Sequence, residues 1–342
     1  MESRVSAPGP GPTSPAARMD LRWRMWAWVA VGLIGLSVTG LVADAFGVAL
    51  AHAHRLRTAV EHPLSAQSSP GATLRPSPIR PVPPLRVAVT AHFSPARALA
   101  MHQELADFLG EATGRPAAVL LRSSYRDTCQ LARTGGCEVA FVDTGALAAS
   151  AGGVDPQVVA VPMIGGQVGI RSYVIVRRQS QYQSLLEMHG ARFASADPQC
   201  APGWLFAASW LESRGVEAEP VVGQHIVTGS HDRAIEAVRM GYADAAAVAS
   251  FVYDRLAEEE EHTSDETRII LKSPLLPPPP IVVPSTLDAH TRQMLQQALL
   301  TMHEDVRGEA ALDALGFDRF VQAGAPHPAV RASVGVGGGP GS

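Results

Sequence analysis

The stretch Ala194-Ser195-Ala196-Asp197-Pro198-Gln199-Cys200-Ala201-Pro202-Gly203-Trp204-Leu205 decides how the rest of this chain is read. Its first residues form the end of a short strand, Asp197-Pro198 reads as a turn, and residues 203–214 read as an amphipathic helix. A helix start reached from a strand presents N–H groups that have no intrahelical partner. It also presents the positive end of the helix dipole, so it suits an anion. Cys200, Ala201 and Pro202 stand at this start. Pro202 removes one donor, which is structurally normal in a first helical turn.

Outward from this point the same strand–turn–helix alternation recurs. On the N-terminal side, strand Leu85–Val89 is followed by a helix carrying Leu99, Leu105, Phe108 and Leu109 and ending at Gly114. A strand over Ala117–Leu121, a short helix over 126–133 and a strand over 138–142 come next. On the C-terminal side, strands 172–176 and Arg192–Ser195, one near Val227 and one over 245–248 alternate with helices 203–214, 233–240 and one from Phe251. Strands 268–271 and Ile281–Val283 flank a Pro-rich link, and a helix over 289–306 closes the region. The acidic run 258–261 reads as a solvated loop. Alternation of this kind argues for an α/β fold with parallel sheets wrapped by helices. Two such units with late return strands imply two lobes, 85–171 with 280–322 and 172–279, crossing at strands 172–176 and 281–283.

Composition narrows the function. The chain has 342 residues, 46% hydrophobic and 18% charged, with a net charge of −4. It lacks the concentrated basic surface that nucleic-acid binding needs. Its three cysteines and scattered histidines lack metal-ligand spacing, so no metal or other cofactor is expected. Residues 1–24 carry Arg18, Arg22 and Arg24 ahead of an apolar run over 25–50. Basic residues before an apolar run hold that end in the cytoplasm. The run is either an export signal cleaved after Ala51-His52-Ala53 or a retained transmembrane anchor, and retention is the reading favoured here. Residues 51–84 read as a Pro-rich spacer, and 323–342 as a disordered tail.

Several segments together resemble one family: residues 114–125, 137–145 and 196–204, Ser230-His231 with Gly241-Tyr242-Ala243-Asp244, and Lys272-Ser273-Pro274-Leu275. From about residue 85 to 321 the chain resembles the phosphonate/phosphate/phosphite solute-binding proteins of ABC importers. That resemblance implies a two-lobed type II periplasmic binding protein fold. It also implies a non-enzymatic, extracytoplasmic protein that captures a small anionic solute between its lobes for an ABC permease. A cleft Tyr of the family matches Tyr125 and a cleft His matches His231. The Ser-Thr-Ser trio that caps phosphonate oxygens falls on Cys200-Ala201-Pro202, and a second cleft Tyr falls on Val142, followed by Asp143-Thr144. An acidic residue of the family falls on Phe251, and an Asp on Pro279. With the hydroxyls gone, alkylphosphonates are expected to bind weakly or not at all.

The candidate ligand-binding residues are therefore Tyr125, Asp143, Thr144, Gln199, Cys200, Ala201, Gly203 and His231. Each has a plainer alternative. Cys200 is either a thiol of depressed pKa at a helix start or a small buried side chain beside Trp204. His231 and Asp143 are cleft contacts or parts of ordinary helix caps. Cys129 and Cys137 are a candidate disulfide or two separate core residues. A membrane-anchored sensing module is the rival function. An enzyme using Cys200 with His231 has no third residue at a spacing suited to orient the pair.

Overall fold

The computed structural model describes residues 82–152 and 155–324. The basic segment 1–24, the apolar run 25–50, the spacer as far as residue 81 and the tail beyond residue 324 lie outside the described residues. Among the described residues no helix is long and apolar enough to cross a membrane. The last residues of the spacer are held: the Arg115 guanidinium donates to the carbonyls of Pro83 at 3.0 Å and Pro84 at 2.8 Å.

Two sheets organise the molecule. The first contains β1 (Leu85–Val89), β2 (Ala117–Leu121), β3 (Val139–Phe141), β4 (Gln157–Met163), β10 (Ile281–Val283) and β11 (Arg319–Val321), in the order β11-β4-β10-β3-β1-β2. The second contains β5 (Ser172–Arg177), β6 (Arg192–Ser195), β7 (Gln224–Val227), β8 (Ala245–Ala249) and β9 (Thr267–Lys272), in the order β7-β6-β8-β5-β9. β2, β1 and β3 run parallel, as do β7, β6 and β8; β10 and β11 run against the first trio and β5 against the second. Parallel neighbours need a crossover, and helices supply it. In the first half these are α1 (Pro95–Thr113) and α2 (Tyr125–Thr134), with α3 (Thr144–Ala149) following β3. In the second half β6 leads into a π-helical turn over Ala201–Leu205 that continues as α4 (Phe206–Glu212). The short α5 (Ala218–Val221) precedes β7, α6 (His231–Arg239) links β7 to β8, and α7 (Ser250–Glu259) follows β8.

The two halves repeat one unit down to single residues. Arg86 on β1 gives its backbone N–H and its guanidinium to Glu138, just before β3. Arg192 on β6 gives the same groups to Asp244, just before β8. Ser124-Tyr125 opens α2 as Ser230-His231 opens α6. Strand β8, Ala245-Ala246-Ala247-Val248-Ala249, is wholly buried, and its small side chains let the flanking helices lie close on both faces.

The chain crosses between the sheets at residues 164–171 and 273–280, one step before the strands expected to cross. There Ile170 and Leu276 exchange N–H···O bonds of 3.0 and 2.7 Å. A line of aromatic contacts, Phe141–Phe320–Phe317–Phe251, runs from the first sheet to the start of α7 with centroids 5.8–6.2 Å apart. The acidic run is not a loop. Glu259 ends α7 and pairs with Arg97 and Arg255, and Glu260 pairs with Arg239 at 3.8 Å. Strands β4 and β11 carry no clear signal in the sequence: Pro162 interrupts the first, and the second has three residues.

Candidate functional site

The carboxyl ends of β1, β3 and β6 and the start of α6 converge on one buried cluster. His92, on the loop after β1, stacks on His231 with centroids 5.8 Å apart and meets Phe251 edge-on at 5.4 Å. Tyr125 stands 6.2 Å from the same imidazole, and its hydroxyl donates to the Ala91 carbonyl at 3.4 Å. Cys200 and His231 are fully buried, with Sγ and Nε2 3.5 Å apart. His231 Nδ1 accepts the Ala249 N–H at 3.3 Å, which leaves the proton on Nε2 and points it at the sulfur.

Four N–H groups at the helix starts take partners from the opposite half of the molecule. Tyr125 N–H donates to Asp197 Oδ2 at 3.1 Å, and Ala201 N–H donates to Asp143 Oδ1 at 2.9 Å. His231 N–H donates to the His92 carbonyl at 2.9 Å, and Ser94 N–H to Asp232 Oδ2 at 2.7 Å. Asp143 also caps its own helix α3, accepting from Gly145 at 2.8 Å and Ala146 at 3.4 Å. Asp197 likewise takes Gln199 N–H on Oδ1 at 2.8 Å.

Burial sets the electrostatics. It pushes the Cys200 thiol well above its ordinary range, and nearby Asp143 and Asp197 push it further. It lowers His231 to about 3 and holds His92 well below the usual imidazole value. The pair is a neutral thiol and a neutral imidazole, so of the two readings of Cys200 the small buried side chain fits and the thiol of depressed pKa does not. An N-terminal dipole cannot offset removal of the whole group from water. Burial also raises Asp143 to about 6, against the lowering effect of its three N–H donors.

Of the residues expected at the site, Tyr125, Asp143, Cys200, Ala201 and His231 come together here. Gln199 belongs to the same turn and has a buried Oε1 without a partner. Gly203 packs under Cys200, where a Cβ would lie 3.0 Å from Cys200 Sγ. Thr144 points elsewhere, onto an apolar cavity of about 670 Å3 bounded by Leu147, Val158, Leu275 and Pro277. Cys129 and Cys137 are separate free thiols, both buried, and form no disulfide. They face different neighbours, Ser150 for Cys129 and the Ala88 backbone for Cys137. His92 was not anticipated. Its only signal in the sequence is a polar residue just past a buried strand, in the loop position where α/β folds place functional groups. Thr90 Oγ1 and His92 Nε2 are buried without hydrogen-bond partners.

The family described as the periplasmic substrate-binding protein of phosphonate ABC transporters matches residues 87–326. The chain belongs to this family. Members of the family bind small solutes and deliver them to ABC permeases, and they work outside the cytoplasm. Solved structures of similar fold include a binding protein component of an ABC phosphonate transporter from Pseudomonas aeruginosa. It is 19% identical, with a TM-score of 0.64 over 71% of this chain and 82% of that one. PhnD1 from Prochlorococcus marinus, solved with methylphosphonate, is 16% identical, with a TM-score of 0.65 over 73% of this chain and 96% of that one. Among curated proteins no sequence matches this chain.

Proposed function

We propose that this family member captures a small, singly charged anion in a cleft between two lobes, one built on each sheet, and hands it to an ABC permease. One observation carries the reading. Helix starts from both halves meet over a single buried cluster, Tyr125 with His231, in which Thr90 Oγ1, His92 Nε2 and Gln199 Oε1 lack partners. Buried polar atoms are seldom left unpaired, so Thr90 Oγ1 and His92 Nε2 suit a ligand that accepts from them, and Gln199 Oε1, an acceptor, suits an O–H or N–H of the same ligand. The polar groups around them are neutral donors and acceptors, beside two carboxylates, which suits one negative charge better than two.

Alkylphosphonates should bind poorly. A hydrogen bond to a charged group contributes about 1.5–3 kcal/mol, and the hydroxyl trio of the family is replaced by Cys200-Ala201-Pro202. Three such losses weaken binding by several powers of ten, at tenfold per ~1.4 kcal/mol. Titration calorimetry with phosphate, phosphite, methylphosphonate and 2-aminoethylphosphonate tests the solute class. Micromolar or tighter binding of methylphosphonate would overturn it. We also propose that residues 25–50 hold the folded region at the outer face of the cytoplasmic membrane.

A further inference from the structure

We propose that Asp143 and Asp197 are built-in ligands of this cleft: each carboxylate takes a backbone N–H of the opposite half, closing the cleft from within and barring dianions from those amides. This rests on the reading of the cleft as the solute site.

The geometry is reciprocal. Asp143 stands at the end of β3 in the first half, and its Oδ1 gathers three N–H groups, two from its own helix and Ala201 from across the cleft. Asp197 stands after β6 in the second half and divides its oxygens in the same way, Oδ1 to its own turn and Oδ2 across to Tyr125. Both side chains are buried, at 2% and 6% exposure, and both meet backbone donors. A carboxylate holding converging amides presents to them what an oxyanion solute would present. The halves approach so closely here that a Cβ on Gly145 would lie 2.5 Å from the Gln199 carbonyl and 3.0 Å from Ala201 N. Closure therefore needs no charge from outside. A doubly charged solute would have to displace a carboxylate and then sit beside the other one.

The test uses the full-length chain with spin labels on Glu104→Cys and Tyr242→Cys, two exposed positions, one in each half. The native thiols are buried and stay unlabelled. Pulsed dipolar distances are measured at a pH above the second ionisation of both anions, with nothing added and again with millimolar phosphate or methylphosphonate as dianions. The wild-type chain should give one narrow distribution that neither anion moves. Asp143→Ser keeps a short oxygen that can cap α3 but cannot reach Ala201, and should broaden and lengthen the distribution by several ångströms. Asp143→Asn retains an acceptor of the right length and should stay near the wild-type distance. Gly145→Ala leaves both carboxylates intact and should open the same distance, so the proposal does not depend on one variant folding. A broad wild-type distribution that narrows on adding either anion would overturn the proposal, as would an Asp143→Ser distribution equal to wild type. None of these readouts requires that the natural solute be known. Calorimetry can therefore fail the solute class while the clasp stands, and the reverse.

Discussion

Tyr125 and His231 hold the same position in two copies of one unit, and each gives its first helical N–H to the opposite copy, Tyr125 to Asp197 and His231 to the His92 carbonyl. The partners are equivalent too, since His92 follows β1 and Asp197 follows β6, the middle strands of the two parallel trios. The cleft is thus stitched by a pseudo-twofold exchange. Its chemistry is uneven, because one partner is a carbonyl and the other a carboxylate.

Cys200 should behave as a core residue. With its thiol raised by burial and its neighbour His231 neutral, native protein at pH 7.5 should not react with Ellman's reagent at this position. All three thiols should react after unfolding in guanidinium. Fast stoichiometric labelling of native Cys200 would contradict the neutral pair and reopen a nucleophilic role.

Replacing His231 should separate its two contacts. His231→Ala strands the buried Ala249 N–H, which costs about 1–3 kcal/mol, with a cavity penalty added. His231→Asn can return an oxygen to the place of Nδ1 and should recover most of that loss. Urea unfolding with equal m-values checks it. Equal loss in both variants would mean that packing against His92, not the Ala249 bond, is what matters.

Stability should fall as the solution turns acid. Burial holds His231 at about 3 and His102 at about 4, with His92 also lowered, so each gains a proton on unfolding. Their contribution is full above about pH 6.5 and declines below it by about 1.4 kcal/mol per pH unit for each histidine, down to the folded value. Asp143 acts in the opposite sense. Its folded pKa of about 6 lies above the unfolded one, so its contribution falls as pH rises from about 4 to 6. Three histidines outweigh one aspartate. Unfolding at pH 6.5 and 5.0 should show net proton uptake, reduced in His102→Leu by about one proton at pH 5.0 and about half a proton at pH 6.5. An unchanged slope in that variant would refute the assignment.

The membrane proposal makes its own prediction. Membranes of cells expressing the full chain should retain it after a high-salt wash and release it with detergent. Alkaline phosphatase fused after Pro84 should be active. N-terminal sequencing that begins after Ala53 would show cleavage instead and remove the anchor.

Sequence periodicity by itself determined the alternation of strands and helices and its repetition in two similar units, while the grouping of Tyr125 with Cys200 and His231 came from the resemblance to the family. The alternation follows from local signals: buried strands with β-branched or small residues, Ser at helix starts and Gly at helix ends. Strands β4 and β11 were not legible, because a Pro-interrupted strand and a three-residue strand exist only through their neighbours in the sheet. The cluster's protonation was not legible either. A helix start suggests a low thiol pKa, but complete burial of Cys200 and His231 reverses it, and burial belongs to the assembled cleft. Asp143 carries the same lesson. Its sequence position allows a helix cap or a solute contact. Tertiary structure made it a cap that also reaches Ala201, 58 residues further along the chain, because only the folded chain brings the end of β3 to the turn after β6.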